Sequence, residues 1–100
     1  MLATAKAHTT QSVLTALGYS DPLVAASQHA RMILLGRLAR YQAAIRQMET
    51  KWGCTLDDMR ARYHTQDVES FAADDDYVQW QWYADATKTI NAQLAALAKP

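Results

Sequence analysis

The stretch DDDYVQWQWY, at residues 74–83, combines three carboxylates with four aromatic rings. Adjacent carboxylates can ligate a divalent cation or serve as an acid–base pair. Three successive residues of a helix point in diverging directions, however, and no His or Glu follows at a spacing of three or four residues. Carboxylates do suit the cap and first turn of a helix, where N–H groups are free and the helix dipole is positive. We therefore predict that Asp74, Asp75 and Asp76 begin a helix and bind no metal.

Other combinations of reactive residues give no stronger prediction of chemistry. Cys54 and His64 could form a nucleophile–base pair, but no oxyanion turn or orienting residue accompanies them. Cys54 directly follows a glycine and precedes a capping residue, which is typical of a small buried apolar group. His8, His29 and His64 share no metal-binding spacing, and no glycine-rich phosphate loop is present. The sequence predicts no catalytic residue, no cofactor and no enzyme activity.

Composition indicates a globular protein rather than a disordered or nucleic-acid-binding one. The 100 residues, half of them apolar, suit a single domain, 1–100, with residues 1–8 frayed. The formal net charge is zero, and Arg31, Arg37, Arg40 and Arg46 do not share one helix face, so we expect a solvated surface and no nucleic acid. One cysteine, no signal-peptide pattern and no membrane-length apolar run predict a cytoplasmic protein without a membrane partner.

The first half of the chain predicts a short helix followed by a long one. The short helix starts at Thr9 or Thr10 and stops at Gly18. The long helix runs from Asp21 to Trp52, with Pro22 at its first helical position. Apolar residues recur along it at spacings of four and three, which defines a heptad seam: Leu34, Leu38, Tyr41, Ile45, Met48 and Trp52. Gly36 could divide this helix, and that question stays open.

The second half predicts a third short helix and a last long one. TLDDMRARYH begins the third helix, capped by Thr55, with Leu56, Met59 and Tyr63 facing inward. We expect residues 65–73 to form a loop in which Val68 and Phe71 plug the core. The last helix then begins within Asp74–Asp76 and reaches about Ala98. Its seam also has heptad spacing: Trp80, Tyr83, Thr87, Ile90, Leu94 and Leu97.

Two long helices with matching seams predict an all-α protein. We expect the two long helices to form an antiparallel hairpin or bundle with the two short helices. In one alternative, dimerisation completes this bundle. The rings of the last helix then face two directions. Trp80 and Tyr83 lie on the seam, whereas Val78 and Trp82 lie away from it and need another surface to cover them. That surface is the first helix, another subunit or a different protein.

The segment RMILLGRL predicts a second candidate interface. Four consecutive apolar residues, Met32 to Leu35, make this turn apolar on all sides. Such a turn is covered either by the first helix or by a second subunit. The candidate interface residues are therefore Met32, Ile33, Leu35, Val78 and Trp82.

The stretch from about Arg40 to Trp82 also carries motifs known from other proteins. They are MEtKWG (Met48, Glu49, Lys51, Trp52, Gly53), Leu56 in the following short helix, and DDDYVqW (Asp74 to Val78, Trp80). This stretch resembles small helical prokaryotic proteins that look like antitoxins of toxin–antitoxin pairs. In those proteins a Phe-Glu-x-Lys-Tyr-Gly-like turn precedes an Asp-Asp-Tyr-x-x-Trp helix start. The resemblance implies a non-catalytic helical hairpin that holds a partner protein, a toxin, through an apolar face.

Three functions follow as hypotheses. The first is a protein-interaction module, antitoxin-like, with a toxin as partner. The second is a homodimeric helical bundle of unrelated purpose. The third is a small-molecule binder that uses the aromatic residues Trp52, Tyr77 and Trp80. No ribbon-helix-helix or helix-turn-helix segment stands at the N-terminus, so DNA binding is not expected.

Overall fold

The structure, a computed structural model, describes residues 9–65 and 71–97, without the side chains of residues 64, 65, 71 and 72. These residues form four α-helices and no strand, which confirms the all-α prediction. The helices are α1 (Thr10–Ala16), α2 (Pro22–Trp52), α3 (Leu56–Thr65) and α4 (Phe71–Leu97).

The start and the end of α1 follow from local hydrogen bonds. Thr9 is the N-cap, and its side chain accepts from the Ser12 N–H at 3.0 Å while the Ser12 hydroxyl oxygen accepts from the Thr9 N–H. Gly18 ends the turn with a φ of 98°. At that φ the Tyr19 N–H donates to the Leu14 carbonyl at 2.9 Å, which satisfies a free helix carbonyl. Both predicted boundaries are confirmed.

Helix α2 is continuous over 31 residues, about 46 Å at 1.5 Å per residue. Asp21 caps it by accepting from the Leu23 N–H at 2.8 Å, and Pro22 is its first residue. Gly36 does not divide the helix. The helix stops at Gly53, where the φ of 66° places the backbone in the left-handed region that glycine tolerates best.

Helix α3 begins with a reciprocal cap, as predicted. The Asp58 N–H donates to Thr55 Oγ1 at 3.2 Å, and the Thr55 N–H donates to the Asp58 carboxylate at 3.4 Å. Met59 is buried, and Leu56 and Tyr63 are half-buried, so the predicted inward stripe of this helix is confirmed.

Helix α4 begins earlier than predicted. We expected residues 65–73 to form a loop and the helix to start within Asp74–Asp76, but Thr65 belongs to α3 and residues 71–73 already belong to α4, while residues 66–70 lie outside the described residues. Acidic residues are favoured throughout the first turn as well as at the cap, so their position in the sequence does not fix the first helical residue. Val68 and the side chain of Phe71, the two expected core plugs, lie outside the described residues. At the other end α4 includes Leu97, the last described residue, and the predicted end at about Ala98 lies outside the described residues.

The chain divides into two compact units, Met1–Ile33 and Leu34–Pro100, and α2 runs through both. The second unit contains the fully buried residues of the described chain: Met59, Ala73, Trp80 and Ile90. In this unit α2 packs against α4, and the seam residues of α2 are half-buried along their whole length. Trp80 and Ile90 confirm the predicted seam of α4. The expectation of a single domain stays a prediction.

None of the described helices is both long enough and apolar enough to cross a membrane.

Replacing Gly36 with alanine should stabilise the protein by about 1 kcal/mol, because interior glycine costs about that much relative to alanine. A Cβ at position 36 lies 3.7 Å from the Arg40 guanidinium, an ordinary van der Waals contact. Gly53→Ala is the matched control, since the same change at a φ of 66° should destabilise. Urea unfolding of both variants measures the difference. Equal effects at the two positions would contradict an unbroken α2.

Candidate functional site

A group of polar side chains joins the end of α2 to the first turns of α4. Asp76 Oδ2 accepts a hydrogen bond from Trp52 Nε1 at 2.9 Å and lies 2.6 Å from Lys51 Nζ. The bond to Lys51 lowers the pKa of Asp76; burial opposes that effect, and the Trp52 hydrogen bond adds to it. Asp76 therefore stays ionised and holds two consecutive residues of α2.

A second part of the same group joins α3 to α4. The Tyr63 hydroxyl donates to Asp74 at 2.6 Å, and Arg60 Nε donates to the Tyr77 hydroxyl at 3.3 Å. The rings of Tyr63 and Tyr77 lie 4.7 Å apart between centroids. Burial of the phenol, followed by its bond to Asp74, raises the pKa of Tyr63 to about 12. The phenol therefore remains protonated and acts as a hydrogen-bond donor to the carboxylate.

These contacts correct the predicted role of the three aspartates. Because α4 begins at Phe71, only Asp74 lies in its first turn, and Asp75 and Asp76 follow within the helix. Asp74 and Asp76 bind side chains of α3 and α2, whereas Asp75 is exposed. We predicted that Asp75 and Asp76 lie at the cap or in the first turn of α4, and this was wrong because the helix starts earlier. The carboxylate of Asp76 instead binds Lys51 and Trp52 of α2.

Three aromatic rings form a cluster where the middle of α2 meets α4. Tyr41 lies between Trp82 and Tyr83, with ring centroids 5.3 Å and 5.7 Å away. Trp82 and Tyr83 also contact each other edge to face at 5.3 Å. Such arrangements are favourable for ring quadrupoles. Trp82 nevertheless keeps 56% of its surface exposed, whereas Trp80, two residues earlier, exposes 1%.

Beside this cluster an open groove of about 380 Å³ runs between α2 and α4. We call the side of the protein that contains it the groove face. Its lining combines one cation, one anion, aromatic rings and small side chains: Arg37, Tyr41, Trp82, Asp85, Ala86, Thr89, Ile90 and Gln93. Of its polar lining residues, Tyr41 is half-buried and the others are exposed.

The five predicted interface residues are all exposed large apolar residues. Their exposed fractions are 70% for Met32, 43% for Ile33, 48% for Leu35, 66% for Val78 and 56% for Trp82. Val78 and Trp82 lie one turn apart on α4. Of the apolar turn 32–35 only Leu34 is half-buried. Met32 lines a second groove, with Leu14 of α1 and Tyr19, yet α1 leaves most of its side chain uncovered.

Sequence reasoning missed the polar members of the groove face. It assigned Arg37 to a solvated surface and gave Asp85 no role, although Tyr41 was placed correctly on the seam. Asp85, Ala86 and Thr89 follow Trp82 by three, four and seven residues, which places all four on one side of α4. This spacing was the signal in the sequence that could have indicated the groove face.

The described residues show no group of three or more His, Cys, Asp or Glu side chains that could hold a metal ion. Cys54 is a half-buried free thiol. His29 is exposed on α2, whereas His8 and the side chain of His64 lie outside the described residues.

Comparison of the chain with protein-family models, curated proteins and solved structures finds no match.

Replacing Trp80 with alanine should cost about 3–5 kcal/mol of stability, because it removes a fully buried ring. Trp82→Ala should cost less, about 1–2 kcal/mol, since this ring loses two edge contacts and is already more than half exposed. Circular dichroism melts and urea titrations of both variants give the comparison. Equal losses would show that Trp82 belongs to the core.

Stability should fall in acid partly through Asp76. Its pKa in the folded protein lies below the ordinary value of 3.8, so its stabilisation is present above that pH and is lost as the pH falls through the folded-state pKa. Asp76→Asn should lower stability at pH 7 and flatten its fall below about pH 4. Asp75→Asn, at the exposed neighbour, is the control and should change neither. Unfolding titrations between pH 2 and pH 7, about the range of carboxyl ionisation, measure both effects.

Proposed function

We propose that this protein is a non-catalytic protein-interaction module, antitoxin-like, that binds a toxin through its exposed apolar residues. The observation that carries the proposal is the exposure of Met32, Ile33 and Leu35 on a 31-residue helix that contains no buried residue. Apolar side chains this exposed on successive positions of a helix are typical of a surface that another protein covers.

The same apolar turn favours a surface that a partner covers over a surface that stays in contact with water. Met32 and Leu35, three residues apart, lie on one side of α2 with Ile33 about a quarter turn from Met32, and only Leu34 of this turn contributes to the half-buried seam. Each large apolar side chain that a partner covers fully contributes about 1.5–3 kcal/mol. Three such residues can supply much of the affinity of a micromolar or tighter complex, because 1 µM corresponds to about 8 kcal/mol.

The order of contacts supports a helical hairpin as the scaffold. Trp52, late in α2, contacts Asp76, early in α4, whereas Tyr41, earlier in α2, contacts Trp82 and Tyr83, later in α4. We infer that the two helices run antiparallel. This scaffold agrees with the hairpin that the resemblance of residues 40–82 implies.

The aromatic residues Trp52, Tyr77 and Trp80 of the small-molecule hypothesis make contacts within the chain. Trp80 exposes 1% of its surface, and the indole N–H of Trp52 donates to Asp76. Tyr77 accepts from Arg60 and packs on Tyr63. These contacts favour a protein partner over a small molecule at this end of the helices.

Co-expression with the product of the adjacent gene tests the proposal. We expect that product to arrest growth when expressed alone, and this protein to relieve the arrest and co-elute with it. Met32→Asp should weaken the complex at least tenfold, because a charge replaces an apolar contact. The substitution should leave the melting temperature nearly unchanged, since Met32 is 70% exposed.

Gln47→Asp, at an exposed position about four turns from Met32 along α2, adds the same charge and is the matched control. It should bind as the unmodified protein does. An adjacent product that neither arrests growth nor co-elutes would overturn the antitoxin-like function. Equal weakening by both substitutions would remove the apolar turn from the interface.

A further inference from the structure

The groove face has the shape of a surface that fits a copy of itself. Trp82 projects from it with more than half of its side chain uncovered. On the same side of α4, Ala86 and Thr89 follow one and two turns later and line the groove. A large exposed ring beside small side chains provides both the projection and the recess that a twofold contact between identical surfaces requires.

The charges of the groove face are also self-complementary. Arg37 of α2 and Asp85 of α4 both line the groove and are both exposed. Within the described chain neither belongs to an ion pair, and the charge of Asp85 is the last in order of size among the effects that raise the pKa of Arg60. A twofold axis through the groove places the cation of each copy opposite the anion of the other, so both charges gain a partner.

Overall charge permits such a contact. The formal net charge is zero, so two copies meet without long-range repulsion. A partner with a strong charge of one sign would pair with Arg37 or with Asp85 but not with both. The mixed charges therefore favour a second copy of this chain on the groove face.

We propose that the groove face is a twofold interface between two copies of this chain, in which Arg37 of each protomer pairs with Asp85 of its partner and Trp82 packs at the centre. This inference deepens the proposed function and rests on it in one respect, that the exposed apolar residues serve protein contacts. The dimer covers Val78 and Trp82, and it leaves Met32, Ile33 and Leu35 to the toxin-like partner.

Exchange of charges between two variants tests the pairing. Sedimentation equilibrium of the purified full chain should show a dimer, and Arg37→Asp and Asp85→Arg should each weaken it at least tenfold, because like charges then face each other. An equimolar mixture of the two variants should recover the dimer as a heterodimer, since both opposed pairs again have opposite signs. The double variant should recover it as a homodimer.

Arg46→Asp is the matched control, because Arg46 is exposed on the opposite side of α2 from Arg37 and its replacement changes the net charge equally. It should dimerise as the unmodified chain does. Rising salt should weaken the unmodified dimer, which checks the charge pairs without any substitution. Circular dichroism melts establish that each variant is folded.

A chain that stays monomeric at all concentrations overturns the inference. So does a dimer that both single variants retain, or a failure of the mixed variants and of the double variant to recover association. A monomer that still co-elutes with the adjacent gene product leaves the proposed function standing without the dimer. A dimer without that partner leaves the interface standing without the toxin.

Discussion

One carboxylate, that of Asp76, fixes where the end of α2 meets α4. Its Oδ2 atom accepts from the Trp52 indole and pairs with Lys51, so two adjacent residues of one helix are bound by one atom of another. Few described side chains are buried, so these directional contacts add to the apolar packing between the two long helices. In the same arrangement Tyr41 lies beside Trp82, about two turns further along α4 than Asp76.

The apolar periodicity of the helices and their N-terminal caps were predictable from the sequence, because both depend on residues that are close along the chain. Thr9, Asp21 and Thr55 cap their helices, and the seam residues of α2 and α4 turn inward. The tertiary role of Asp74 and Asp76 was not predictable, since an acidic residue suits a helix start whether or not another helix supplies a donor. The position of Arg37 and Asp85 in one groove was not predictable for the same reason, because it depends on how α2 and α4 pack.

The two long helices use their apolar residues differently. In α4 the seam contains Trp80 and Ile90, which are buried, so this helix supplies most of the core. In α2 every seam residue remains half-buried, and the apolar turn at 32–35 is largely exposed. A helix of that length and exposure contributes more to surface than to core. This asymmetry is what the proposed partner-binding role rests on.

The three tryptophans occupy three distinct environments: Trp52 in a hydrogen bond, Trp80 in the core and Trp82 at the surface. Indole emission moves to shorter wavelength when water is excluded from the ring. The proposed docking on the groove face would therefore change the emission of Trp82 and leave that of Trp80 constant, whereas loss of the core would expose Trp80. The chain thus carries built-in optical reporters that separate assembly from unfolding without any added dye.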